Sequence, residues 1–150
     1  KPNNAIDNRE YFERFATVAE CVKQNGAELL QENVVNFRAG NTETLKNMSD
    51  YLGDKVGFCL DVKQSLRGGY SPYDVLKLLG PKIKHLHLSD STALNDCMIP
   101  GEGDFDFKAF LEQARKCGYT GDAVIEVYRN AFDAPQSLFD SHKKLLKNIF

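Results

Sequence analysis

No stretch of about 18 consecutive apolar residues occurs in the chain, so no membrane-spanning helix is implied. The opening residues, Lys1-Pro2-Asn3-Asn4-Ala5-Ile6-Asp7-Asn8, lack the apolar core of a signal peptide. They also lack an initiator Met, which points to an excised or processed segment. Lysines sit singly or in pairs such as Lys143-Lys144, and the formal net charge is only -2, so nothing calls for nucleic acid or another polyanion. There is no C-x-x-C. The four cysteines, Cys21, Cys59, Cys97 and Cys117, lie far apart, which removes support for a zinc ribbon or a redox pair. Cys59 and Cys117 read as buried free thiols, and reduced thiols fit a cytoplasmic location. Neither a G-x-G-x-x-G after a strand nor a G-x-x-x-x-G-K-[ST] is present, so the nucleotide-binding fingerprints are missing.

What remains is an ordinary globular composition, 42% hydrophobic and 27% charged over 150 residues, enough for one segment (1–150) with a sizeable core. The pattern alternates helix and strand. Phe12, Phe15, Ala19 and Val22 recur at helical spacing over residues 8–24, with Gly26 as a stop. A short strand is expected at 27–32. A helix capped by Asn41 or Thr42 follows, with Gly53 closing it. Val56–Asp61 is apolar on both faces, as parallel strands are, and Gly68-Gly69 marks a loop. Ser71-Pro72 starts a helix running to Gly80-Pro81. Ile83–Leu88 is the third strand, and a polar, Gly-rich loop spans Ser89–Asp104. Asp106 caps a helix whose Phe107, Phe110, Leu111, Ala114 and Cys117 share a face. The fourth strand is expected at Ala123–Val127. A last helix from about Ser137 turns Leu138, Leu145, Leu146 and Ile149 toward a core.

Four β-α units with right-handed crossovers make a parallel α/β sheet. Their spacing fits a barrel and a doubly wound fold equally. A complete (β/α)8 barrel needs about 250 residues and eight strands. This chain is therefore expected to be half a barrel: a fragment, a homo-oligomer, or one dependent on an N-terminal half.

Each expected strand ends in a residue able to bind a metal: Glu32, Asp61, His87 and Glu126. In parallel α/β sheets the carboxyl ends of the strands gather on one face, where sites are built. Three carboxylates and an imidazole form a hard set that suits Mn²⁺, Mg²⁺ or Co²⁺ better than a thiolate site would. Singly, each is explained as a cap or a satisfied core group. All four together favour a site.

The ordered series Glu32-Asn33, the apolar run ending in Asp61, His87-Leu88-Ser89-Asp90, Pro100-Gly101-Glu102-Gly103-Asp104-Phe105-Asp106-Phe107, Gly118-Tyr119-Thr120-Gly121 and Ile125-Glu126 resembles the xylose-isomerase-like TIM-barrel family of sugar isomerases and epimerases. The resemblance implies that Glu32, Asp61, His87 and Glu126 hold one divalent ion, Mn²⁺ first, with Mg²⁺, Co²⁺ or Zn²⁺ as alternatives. It makes Glu32 and Glu126 the acid/base pair and places Gln64 and Asn33 near substrate. The implied reaction is isomerisation or epimerisation of a small sugar, polyol or sugar-derived keto compound through an enediolate. Rival readings are an inosose-dehydratase-like lyase, an apurinic-endonuclease-like hydrolase and a non-catalytic half-barrel.

The chain departs from the family in two places. Gln64 stands where many members have the His of D-x-x-H, and Asp96-Cys97-Met98 replaces the D-R-H of the endonucleases, so a trinuclear zinc site would lose ligands twice. The arginine that epimerases place soon after the metal His has no counterpart near Ser91-Thr92-Ala93. His85, two residues before His87, is expected on the same face as a buried, hydrogen-bonded group. Lys63 is expected in solvent, Pro100–Gly103 in a tight turn rather than a phosphate cradle, and His142 on a helix surface without a role.

Overall fold

The computed structural model describes residues 6–149 and, in the last turn, side chains as far as Lys147. Local chemistry sets the helix starts. The Asp7 carboxylate accepts from Glu10 N at 2.7 Å and opens α1 (Asn8–Gln24), which buries Phe12 and half-buries Phe15, Ala19 and Val22. Asn41 accepts from Thr44 N at 2.8 Å at the start of α2 (Thr42–Leu52). The Ser71 hydroxyl caps α4 (Pro72–Leu79), with Pro72 in its first turn. Asp106 caps α5 (Phe107–Lys116), whose Phe107, Phe110, Leu111 and Ala114 are buried. In α6 (Gln136–Ile149) Leu145 is buried and Leu138 half-buried, but Leu146 faces solvent against expectation. The Ile149 side chain lies outside the described residues.

The strands are β1 (Leu30–Glu32), β2 (Gly57–Asp61), β3 (Ile83–Leu88) and β4 (Asp122–Ile125), all parallel. β1 is shorter than the expected 27–32 because β2 begins opposite Leu30, leaving residues 27–29 no ladder to join. Residues 62–67, assigned to no element from sequence, form the short helix α3 (Val62–Arg67). Its start is specified by a distant consequence of strand formation: Asp61 ends β2 and its Oδ1 accepts from Gln64 N at 3.0 Å.

Strand order separates the two folds that spacing allows. The order is β1-β2-β3-β4, following the chain without reversal. The helices α1, α2, α4, α5 and α6 touch in the same sequence, as a single row. A doubly wound sheet reverses at a switch point and carries helices on both faces. This sheet does neither, so it is a segment of a (β/α)8 barrel wall. Phe58, Leu60, Leu86 and Leu88 are buried on the helix side of the pleat. The other face carries Asp61, His85, His87 and Val124, the last 43% exposed. Among the described residues no helix is long and apolar enough to cross a membrane.

β3 and β4 approach closely at one point. A Cβ on Gly121 would lie 1.9 Å from Lys84 O and 2.7 Å from Lys84 C, both backbone. Gly121→Ala must push β4 away from β3, and we expect a loss of about 3 kcal/mol, in the range reserved for core disruption. Chemical denaturation of the full-length protein checks this; a midpoint equal to wild type would contradict the packing described.

Candidate metal centre

The four strand-end residues converge. Glu32 and Asp61 are the last residues of β1 and β2, His87 sits opposite Asp61 in the β2–β3 register, and Glu126 follows β4 directly, its N bonded to Leu88 O at 2.9 Å. One ligand atom from each lies within 4.8 Å of the others. His87 Nδ1 is 2.8 Å from Glu126 Oε2, 3.3 Å from Glu32 Oε1 and 3.9 Å from Asp61 Oδ2. Asp61 is 1% exposed, and its Oδ2 and the Glu126 Oε2 are buried without a hydrogen-bond partner. Buried polar atoms are rarely left so, because each forfeits the hydration it had in the unfolded chain. Two carboxylate oxygens without hydrogen bonds, gathered in one small space with only His87 and Lys63 within ion-pair reach, fit a cation. The donor set, three carboxylates and one imidazole, suits a hard divalent ion.

The surrounding residues are scaffold. Asn33 is 1% exposed and fully committed: its Oδ1 accepts from Asp61 N at 2.7 Å, and its Nδ2 donates to Asp61 O and Ser65 Oγ at 3.1 and 3.0 Å. Gln64 Oε1 accepts from Val35 N at 3.1 Å. Both residues expected near substrate therefore also hold backbone in place. Asn33 locks β1 to the end of β2, and Gln64 braces the loop after β1. His85 shares the face of His87, their rings edge to face at 5.3 Å, but it is half-buried and has no hydrogen bond among the described residues. His142 is exposed on α6 as expected.

Asp90 explains the Pro-Gly-Glu-Gly-Asp segment. Its buried carboxylate accepts from Ser91 N and Phe105 N through Oδ1, at 2.8 and 3.0 Å, and from Gly101 N and Gly103 N through Oδ2, at 2.7 and 3.0 Å. The loop's N–H groups are thus spent on an internal anion. It is a turn and not a phosphate cradle.

Sequence reasoning missed Lys63, which is not in solvent but 3% exposed, with Nζ 3.4 Å from Asp61 Oδ2 and 3.7 Å from Glu126 Oε2. The missed signal is its position two residues past the end of an all-buried strand. Burial works to lower its pKa, and the Asp61 and Glu126 carboxylates more than reverse that. Burial raises the Asp61 carboxyl, opposed by the bond from Gln64 N and by Lys63. The Cys59 thiol and then the Glu32 carboxylate push the His87 ring up to about 10 against burial. Cys59 itself is buried and raised by that burial, as expected of a structural thiol.

A parallel barrel wall with this cluster at its carboxyl edge is the setting in which family comparison becomes informative. The sequence profile of the xylose isomerase-like TIM barrel family matches residues 2–149. The chain belongs to that family. An uncharacterized protein of Methanocaldococcus jannaschii is 28% identical over 149 residues, which are 95% of this chain and 48% of that protein. This chain thus spans about half the length of that relative. Among solved structures, an IolI protein with a bound zinc atom superposes with a TM-score of 0.77 at 18% identity, over 100% of this chain and 60% of that one. A D-tagatose 3-epimerase-like protein gives 0.72 at 24% identity, over 95% and 55%. At such identities the likeness speaks for the fold. Asp96, at the position of the endonuclease D-R-H, is taken by Arg67, whose Nη2 meets Asp96 Oδ1 at 2.9 Å, and stays outside the four-residue cluster.

Proposed function

We propose that this chain carries the metal-binding, proton-transferring wall of an isomerase or epimerase for a small sugar, polyol or sugar-derived keto compound. The observation that carries the reading is the placement of the cluster. Asp61 and His87 come from the two inner strands, while Glu32 and Glu126 come from the two outer ones and flank them. Glu32, Asp61, His87 and Glu126 would hold one divalent ion, Mn²⁺ by preference. Such an ion supplies polarisation of a carbonyl and its neighbouring hydroxyl, easing loss of the proton between them. Glu32 and Glu126 are the chain's own proton carriers. Side-chain exposures of 31% and 44% leave both open to a substrate seated on the inner face. A carboxylate on each side lets a proton leave one face of a carbon and return to the other, or to its neighbour. Buried Asp61, braced by Asn33, holds position and carries no proton in this scheme. The zinc-bound and epimerase-like structures of the same fold support the metal and the substrate class.

Metal uptake provides the first test. Full-length protein should bind one Mn²⁺ and gain about 2.7 kcal/mol at a free concentration 100-fold above Kd. His87→Ala should abolish most of that gain. The functional test is deuterium incorporation next to the carbonyl when the metal-loaded protein meets a panel of ketoses in heavy water. Stability indifferent to Mn²⁺ would remove the metal centre, and no exchange with any keto compound would remove the reaction.

A further inference from the structure

We propose that Lys63 is a specificity-determining residue that restricts the centre to a single divalent ion. This rests on the metal-centre reading above and adds a role for a residue outside the four ligands. Lys63 Nζ lies within ion-pair reach of Asp61 and Glu126 but, among the described residues, not of Glu32. It therefore occupies the flank of the cluster away from β1. The oxygens it faces, Asp61 Oδ2 and Glu126 Oε2, are the two that lack a hydrogen-bond partner. In two-metal sites a second cation about 3.5 to 4 Å from the first is held by carboxylates shared between the ions. Here an ammonium stands on that shared side.

The ammonium is also held in place. Its Nζ lies over the Tyr128 ring, 5.2 Å from the centroid. Arg67 packs on the same ring at 5.6 Å, donates to Tyr128 Oη at 2.9 Å and is itself forked onto Asp96. Charge balance gives the same result. Glu32, Asp61 and Glu126 carry three negative charges, Lys63 leaves two, and one divalent ion neutralises them. A second ion would create net positive charge in a poorly solvated space, which is costly without further ligands.

Equilibrium dialysis of full-length protein against Mn²⁺ tests this. Wild type should take up one ion per chain even at millimolar Mn²⁺, and Lys63→Arg should do the same. Lys63→Gln should bind the first ion about 10-fold tighter, since a nearby positive charge is gone, and should accept a second. A merely structural lysine predicts the reverse, weaker binding in Lys63→Gln. One ion at unchanged or weaker affinity in Lys63→Gln would overturn the proposal. If that variant fails to fold, the electron paramagnetic spectrum of wild type in excess Mn²⁺ decides: isolated ions support the proposal, and spin-coupled pairs overturn it. Wild type that binds no Mn²⁺ at all would instead sink the metal centre itself, and this inference with it.

Discussion

Replacing Glu126 by Gln in the full-length protein is expected to reduce α-proton exchange by about two to four orders of magnitude, the usual cost of losing a proton-transfer group. The amide keeps an oxygen for a hard cation but cannot accept the proton. Glu32, Asp61 and His87 remain, so the ion should stay with modestly reduced affinity. The geometry makes this a strong test, because Glu126 Oε2 is buried and faces both His87 at 2.8 Å and Lys63 at 3.7 Å. Exchange should be followed in heavy water by loss of the substrate's carbon-bound proton signal, which reports the proton step independently of product release. Undiminished exchange with the ion still bound would reduce Glu126 to a ligand and leave Glu32 as the base. The two-carboxylate scheme would then fail.

The largest stability effect is expected at Asp90, far from any expectation of catalysis. Asp90→Ala removes the acceptor of four backbone N–H groups inside a residue that is 1% exposed. Each buried donor left unsatisfied costs about 1–3 kcal/mol. Some water will enter the space, so we expect a net loss of about 4 kcal/mol, or roughly 8–16 °C for a protein of 150–250 residues. Asp90→Asn should fall close behind, since one oxygen becomes an NH₂ facing two N–H donors. Thermal melts followed by circular dichroism measure both. A loss below about 1 kcal/mol in Asp90→Ala would mean the loop closes on other partners. Limited proteolysis within residues 91–105 should rise in parallel.

Much of this was legible from residues alone, for reasons that are local. Helix starts depend on a short polar side chain reaching an N–H two or three residues on, so Asn41, Ser71 and Asp106 could be placed without coordinates. The extent of β3 matched the segment expected, Ile83–Leu88. The ends of β1 and β4 did not, because a strand extends only as far as its neighbour, and β2 begins opposite Leu30. α3 escaped because six residues show no helical period.

The sequence by itself determined a parallel α/β chain with Glu32, Asp61, His87 and Glu126 at successive strand ends, since alternation and strand length are written in nearest neighbours. Tertiary structure decided between barrel and doubly wound topology, because spacing is the same in both and only strand order differs. It also decided where individual polar groups are spent. Asn33 and Gln64, expected near substrate, also accept from Asp61 N and Val35 N, contacts that no local pattern shows. Lys63 read as a solvated lysine until β4, 63 positions later in the chain, brought Glu126 to its ammonium. The residue type of a charged side chain does not by itself reveal burial. Whether it is hydrated or locked beside an anion depends on which distant strand arrives next to it, and that is settled only when the sheet closes.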